Sequence, residues 1–182
     1  MRFCLDACVL YPTVLREILM GVAGQGLFTP LWSARIAEEW RRTAERQSPG
    51  DGVIAAGEIA LLNARWPEAE IPADPELEQQ LWLPDSGDIH VLATAIKGQA
   101  TGIVTLNLRD FPTRELQPHN LQALHPDALL YKLWQDSPDA VTDVVTRVQT
   151  TAQSLAGEPL ELRKLLKRAR LPRLGKALSY SW

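Results

Sequence analysis

The chain opens on a short apolar run, Phe3 to Leu5, that stops at Asp6, so residues 2–5 are predicted as a strand. Pro12 suits the first turn of a helix reaching Ala23, closed by Gln25 and Gly26. Ser33 is an N-cap residue for a second helix through Arg46. Ser48 to Asp51 form a turn, and 52–65 a third helix. Residues 66–80 carry three prolines and many acids and are read mostly as loop. Leu81, Trp82 and Leu83 suggest a short strand, and 87–97 a helix with Gly98 at its end. Ile103 to Leu106 form an apolar, β-branched run of the kind found in buried parallel strands. Leu121 to Leu124 fit a last strand. His125-Pro126-Asp127 then opens a helix to 135, Ser137-Pro138 another to Ala156, and 158–170 reads as one amphipathic basic helix. Helices alternating with short buried runs argue for an α/β sandwich around a mainly parallel sheet.

At 182 residues the chain suits one α/β domain, or one domain with an appendage. A net charge of −3 argues at first against nucleic acid. Its distribution reverses that impression. Residues 158–182 carry seven cations (Arg163, Lys164, Lys167, Arg168, Arg170, Arg173, Lys176) against Glu158 and Glu161, so the remainder of the chain holds the negative balance. Such a charge asymmetry suggests an acidic site plus a basic tail. Cys4 and Cys8 fit neither redox nor zinc spacing and are read as small core residues. With no signal peptide and no run long enough to span a bilayer, the expected location is cytoplasmic, with no membrane partner.

The candidate chemistry lies in the carboxylates. In open α/β sheets ligands bind at the carboxyl ends of the strands, where Asp6 and Asp110 fall. Asp88 shares a helical face with Val91, Leu92, Ala95 and Ile96, which puts a charge at the rim of a core and calls for a partner. On the 33–46 helix, Glu39 flanks the apolar stripe of Trp32, Ile36, Ala37, Trp40 and Ala44, while Glu38 faces solvent. An oxygen-only set of this kind suits Mg²⁺ or Mn²⁺ rather than zinc, and such ions assist phosphodiester hydrolysis. Rival patterns fit less well. The Gly21 to Gly26 segment lacks the lysine and hydroxyl of a phosphate loop. A dehalogenase-like phosphatase needs an aspartate where Cys8 stands. His90, His119 and His125 share no ligand spacing and are read as exposed or structural.

Four segments together resemble the PIN-domain ribonucleases: Leu5 to Leu10, Ser33 to Trp40, Pro84 to Ala95, and Ile103 to Pro112. The resemblance covers residues 1–135. It implies a PIN-like three-layer α/β sandwich with a central, mainly parallel sheet, leaving 136–182 as a helical basic extension. It also implies a metal-dependent endoribonuclease of the toxin (VapC-type) branch. Asp6, Glu39, Asp88 and Asp110 would be catalytic and metal-binding, with Asp85 serving a second metal. Thr105 would orient a carboxylate, and Asn107 would share the fourth position with Asp110. RNA, a small antitoxin and a second copy of the chain are the implied partners. Lys164, Lys167 and Arg168 are candidate RNA contacts. The alternatives are a non-catalytic PIN-fold binding module and a structure-specific DNA nuclease.

Overall fold

The computed structural model describes residues 1–179. Strand β1 (Arg2–Leu5) leads through the single-turn α1 (Ala7–Leu10) into α2 (Thr13–Gly24). Next come β2 (Thr29–Leu31), α3 (Ala34–Gln47), α4 (Asp51–Arg65), α5 (Pro75–Gln80) and α6 (Ile89–Lys97). Strand β3 (Gly102–Val104), α7 (Thr113–Leu116) and β4 (Ala123–Leu124) complete the sheet region. Helices α8 (Pro126–Asp136), α9 (Pro138–Ala156), α10 (Leu162–Arg168) and α11 (Pro172–Leu178) follow.

Contacts divide the chain into two compact units. The first comprises Met1–Tyr11 and Phe28–Leu124; the second joins Pro12–Leu27 to the chain from His125 onward. Within the second unit α2 packs with α9.

In the first unit the four strands form one all-parallel sheet in the order β2-β1-β3-β4. The chain therefore builds outward from β1 in one direction and then in the other. That leaves a topological switch point between β1 and β3, where such sheets hold their ligands. The register sets Leu5 beside Val104, and the Asp6 amide donates to the Val104 carbonyl at 3.1 Å. Phe3, Leu5, Leu31, Trp32, Trp40 and Ile103 are fully buried in this unit, and α6 lies against β1 and β3.

Several expectations are corrected. Residues 81–83 form no strand, since Trp82 is exposed and no strand runs beside them. The outer strand is instead Thr29–Leu31. Its Pro30 carries no N–H, which an edge strand tolerates. The 66–80 stretch contains α5, whose N-cap Asp74 accepts the Leu77 amide at 3.1 Å. The strand expected at 103–106 ends at Val104. The single basic helix expected over 158–170 is confined to α10, followed by α11. Pro159 delays its start, and Arg170, at φ 63°, ends it in a left-handed turn.

In the second unit α2 and α9 approach closely at Gly21, where an added Cβ would stand 2.6 Å from a Val144 methyl. Asp127, buried near the start of α8, accepts the Arg173 and Leu174 amides at 2.8 and 3.0 Å and so caps α11. Here tertiary structure supplies the cap that the local sequence of α11 lacks.

Candidate active site

Each acid owes its place to an identifiable piece of local structure, and all lie in the first unit. Asp6 follows β1 with an extended backbone, so its side chain leaves the sheet at the carboxyl end. It is 6% exposed, and Thr105, just past the end of β3, donates its hydroxyl to Oδ2 at 2.7 Å. Cys8 Sγ stands 3.0 Å from the same oxygen and accepts the Leu106 amide at 3.2 Å. Only Oδ2 of Asp6 is engaged in these contacts, so the carboxylate is held in orientation by one edge. The Asn107 amide donates to the Thr105 hydroxyl at 3.0 Å, fixing that rotor in turn, while the Asn107 side chain is exposed.

The Ser33 hydroxyl caps α3 by accepting the Ile36 amide at 3.3 Å. On that helix Glu38 and Glu39 are equally exposed and differ in their partners. Glu38 binds Arg41 and Arg42 at the surface, which pulls its pKa down to about 2, the Arg41 hydrogen bonds contributing most. Glu39 is as exposed as Glu38, but its Oε1 lies 3.8 Å from Arg35 Nε and 2.8 Å from Nε2 of the buried His90. The His90 contact is close but off the line of a hydrogen bond, and His90 Nδ1 has no hydrogen-bond partner among the described residues.

Asp85 accepts the Gly87 amide at 2.8 Å, setting the 3-10 turn that leads into α6. Asp88 ends that turn and sits half-buried at the N-terminus of α6. Asp110 is half-buried in the 3-10 turn Leu108–Asp110 beyond β3.

The electrostatics join these residues. Burial first, then the charges of Asp6, Asp85, Asp110 and Glu39, push the Asp88 carboxyl up to about 6. Burial disfavours the charged form of a carboxyl, and four neighbouring carboxylates add to that effect. The Cys8 thiol is pushed up to about 12, by burial first and then by Asp6, so it stays protonated and can donate to that carboxylate. Among the described residues no three His, Cys, Asp or Glu side chains are placed to close on one ion. Asp6 is held by Thr105 and Cys8, and Glu39 lies beside His90 and Arg35. The donor set suits a hard cation, because carboxylate oxygens dominate it.

Two residues of the site escaped the sequence. His90 is 2% exposed and stands against Glu39, although the helical pattern turns it away from the apolar face of α6. Cys8 is half-buried beside Asp6 rather than in the core, unlike Cys4, which is fully buried. Its position two residues beyond a candidate aspartate was the available signal.

The sequence model of the PIN domain family matches residues 2–109, more than half of the chain. The chain belongs to the PIN domain family. Within the matched span of this PIN domain fall Asp6, Glu39, Asp85, Asp88, Thr105 and Asn107, while Asp110 lies one residue beyond it. The chain is also similar to a Mycobacterium tuberculosis protein named "Putative ribonuclease VapC50", with 44% identity over 57 residues. That stretch covers 30% of this chain and 34% of the relative, so the likeness spans about a third of the relative's length. No solved structure matches the chain. Among the described residues no helix is long and apolar enough to cross a membrane.

Proposed function

We propose that this PIN domain is a metal-dependent endoribonuclease of the toxin (VapC-type) branch, hydrolysing RNA phosphodiester bonds. In this reading residues 1–135 carry the nuclease and 136–182 a helical extension. Asp6, Glu39, Asp88 and Asp110 hold Mg²⁺ or Mn²⁺, with Asp85 as an additional ligand. The observation that carries the proposal is the placement of Asp6 and Asp110 beyond β1 and β3, at the switch point of a parallel sheet, with Asp88 at the start of α6, which lies against those strands. The ion would supply polarisation of the phosphodiester and charge to receive its oxygens.

The protein's own residues prepare that chemistry. Thr105 and Cys8 grip Asp6 Oδ2 and leave the carboxylate aimed rather than free to rotate. His90 and Arg35 lie on the Oε1 side of Glu39. Asp88 must lose its proton to bind a cation, so metal affinity weakens as the pH falls through about 6. The ribonuclease name of the mycobacterial relative supports RNA as substrate. A small antitoxin protein masking the site, and a second copy of the chain, are the partners this reading brings.

The test is cleavage of end-labelled RNA with Mg²⁺, with Mn²⁺ and with chelator, for the wild type and for Asp6→Asn. Metal-dependent cleavage that Asp6→Asn abolishes while keeping its fold is expected. Unchanged turnover in the variant would remove Asp6 from the mechanism. Binding of RNA without cleavage would leave a non-catalytic module, and cleavage confined to branched DNA would leave a DNA nuclease.

A further inference from the structure

In the second unit, α10 and the turn after it divide their side chains sharply. Leu166, Ala169, Leu171 and Leu174 are buried. Lys164, Lys167, Arg168 and Arg170 are exposed and together line a depression of about 420 Å³. Lys164, Lys167 and Arg168 follow the i, i+3, i+4 spacing that places side chains side by side on a helix. Arg170 joins them from a left-handed backbone, φ 63°, an uncommon conformation for a residue other than glycine. Only Lys164 is paired, with Glu161 at 2.9 Å; Lys167, Arg168 and Arg170 have no ion pair among the described residues. Arg173 is different, because its guanidinium is taken up 3.9 Å above the Tyr131 ring.

A solvated helix face is normally convex and mixes both charges. This one is a shallow, open depression, and every described residue lining it is a cation. Folded proteins and amphipathic peptides dock through apolar anchors, and among the described residues no apolar side chain lines this depression, whose apolar surface is only the stems of its cations. What it suits is a chain of regularly spaced negative charges, held by its charge alone. We propose that the depression lined by Lys164, Lys167, Arg168 and Arg170 is a binding groove for the phosphodiester backbone of single-stranded nucleic acid, sequence-blind because these four described residues offer no aromatic ring for stacking and no base-edge acceptor. Naming RNA as its natural occupant rests on the nuclease reading; the groove itself does not.

The experiment measures binding of the full chain to a fluorescein-labelled single-stranded RNA by anisotropy across a salt series, in chelator, so that no cleavage is needed. Each phosphate neutralised contributes about −0.7 to the slope of log affinity against log salt. Neutralising Lys164→Gln, Lys167→Gln and Arg168→Gln together should flatten the slope by about 2 and weaken binding. The single variants should each flatten it by about 0.7, which keeps the test open if the triple variant does not fold. Lysine-to-arginine exchanges at 164 and 167 should preserve it. Arg46→Gln, Arg65→Gln and Lys132→Gln together, removing equal charge outside the groove, should leave it unchanged. The same oligonucleotide as DNA should give the same slope, since only the backbone is held. An unchanged slope in the groove variants, or no binding by the wild type, overturns the proposal. So does loss of poly-glutamate binding with RNA binding intact, which would assign the groove to an acidic protein. Metal-dependent cleavage with an unchanged slope would sink the groove and leave the nuclease reading standing. The reverse result would sink the nuclease reading alone.

Discussion

Replacing Asp88 by asparagine removes the most displaced carboxyl of the acidic cluster while keeping its shape, and it should stabilise the metal-free protein. The Asp88 carboxyl moves from 3.8 to about 6 on folding, chiefly through burial and then the charges of Asp6, Asp85, Asp110 and Glu39. At about 1.36 kcal/mol for each tenfold change, the full shift corresponds to about 3 kcal/mol. Asp88 is only half-buried, and solvent screening reduces that to roughly 1–2 kcal/mol. Its favourable position at the α6 N-terminus offsets about 0.3–1 kcal/mol more. A net gain of about 1 kcal/mol remains, which raises the melting temperature of a chain this size by about 2–4 °C. The sign follows from proton linkage. A folded-state pKa above the unfolded one means that the native protein binds the proton more tightly. The wild type therefore loses stability as pH rises from about 4 through about 6. The advantage of Asp88→Asn should be absent below about pH 4 and complete near pH 7. Adding Mg²⁺ or Mn²⁺ should reverse the order, because only the wild type keeps all its ligands and gains from binding. Differential scanning calorimetry in chelator and in metal, at both ends of that pH range, reads all of this. A metal-free variant that melts at or below the wild type near neutral pH would refute the reasoning, as would an advantage that is the same at both pH extremes.

Thr105→Val removes the hydroxyl that holds Asp6 Oδ2 and should cut metal affinity or cleavage by about 10–100-fold with little change in the far-ultraviolet spectrum; full activity would show that Asp6 needs no such grip. Asp127→Ala strips the acceptor from two amides of α11 and should cost about 1–3 kcal/mol in urea unfolding, with faster proteolysis after residue 168. An unshifted midpoint would mean that α11 is held by its leucines alone. Gly21→Ala drives a methyl to 2.6 Å from Val144 and should destabilise by about 1–3 kcal/mol. Gly57→Ala on α4 meets nothing within 4 Å and should stabilise by about 0.5–1 kcal/mol. Equal melting shifts in the two glycine variants would contradict the packing described for α2 and α9.

The sequence by itself determined the parts of this protein that depend on near neighbours in the chain. An apolar run halted by Asp6 reads as a strand end carrying a carboxylate. Ser33 caps its helix from three residues away, and helical spacing alone separates Glu39 from Glu38. Four segments in order were enough to show the PIN resemblance. Only the tertiary structure decided what depends on distant neighbours. Leu81 to Leu83 have a strand's composition but no strand beside them, whereas Thr29 to Leu31, with a proline at their centre, pair with β1 because the edge of the sheet was open there. The wheel of α6 turned His90 away from the core, yet the helix is covered on more than one face, and the second cover brings Glu39. Cys8 became a site residue only when β3 set Thr105 beside Asp6. Helix α2 belongs with α9, more than a hundred residues on, because Gly21 allows that approach. Local patterns record which face of an element is apolar; which surface covers that face is fixed by burial among elements that the pattern cannot see.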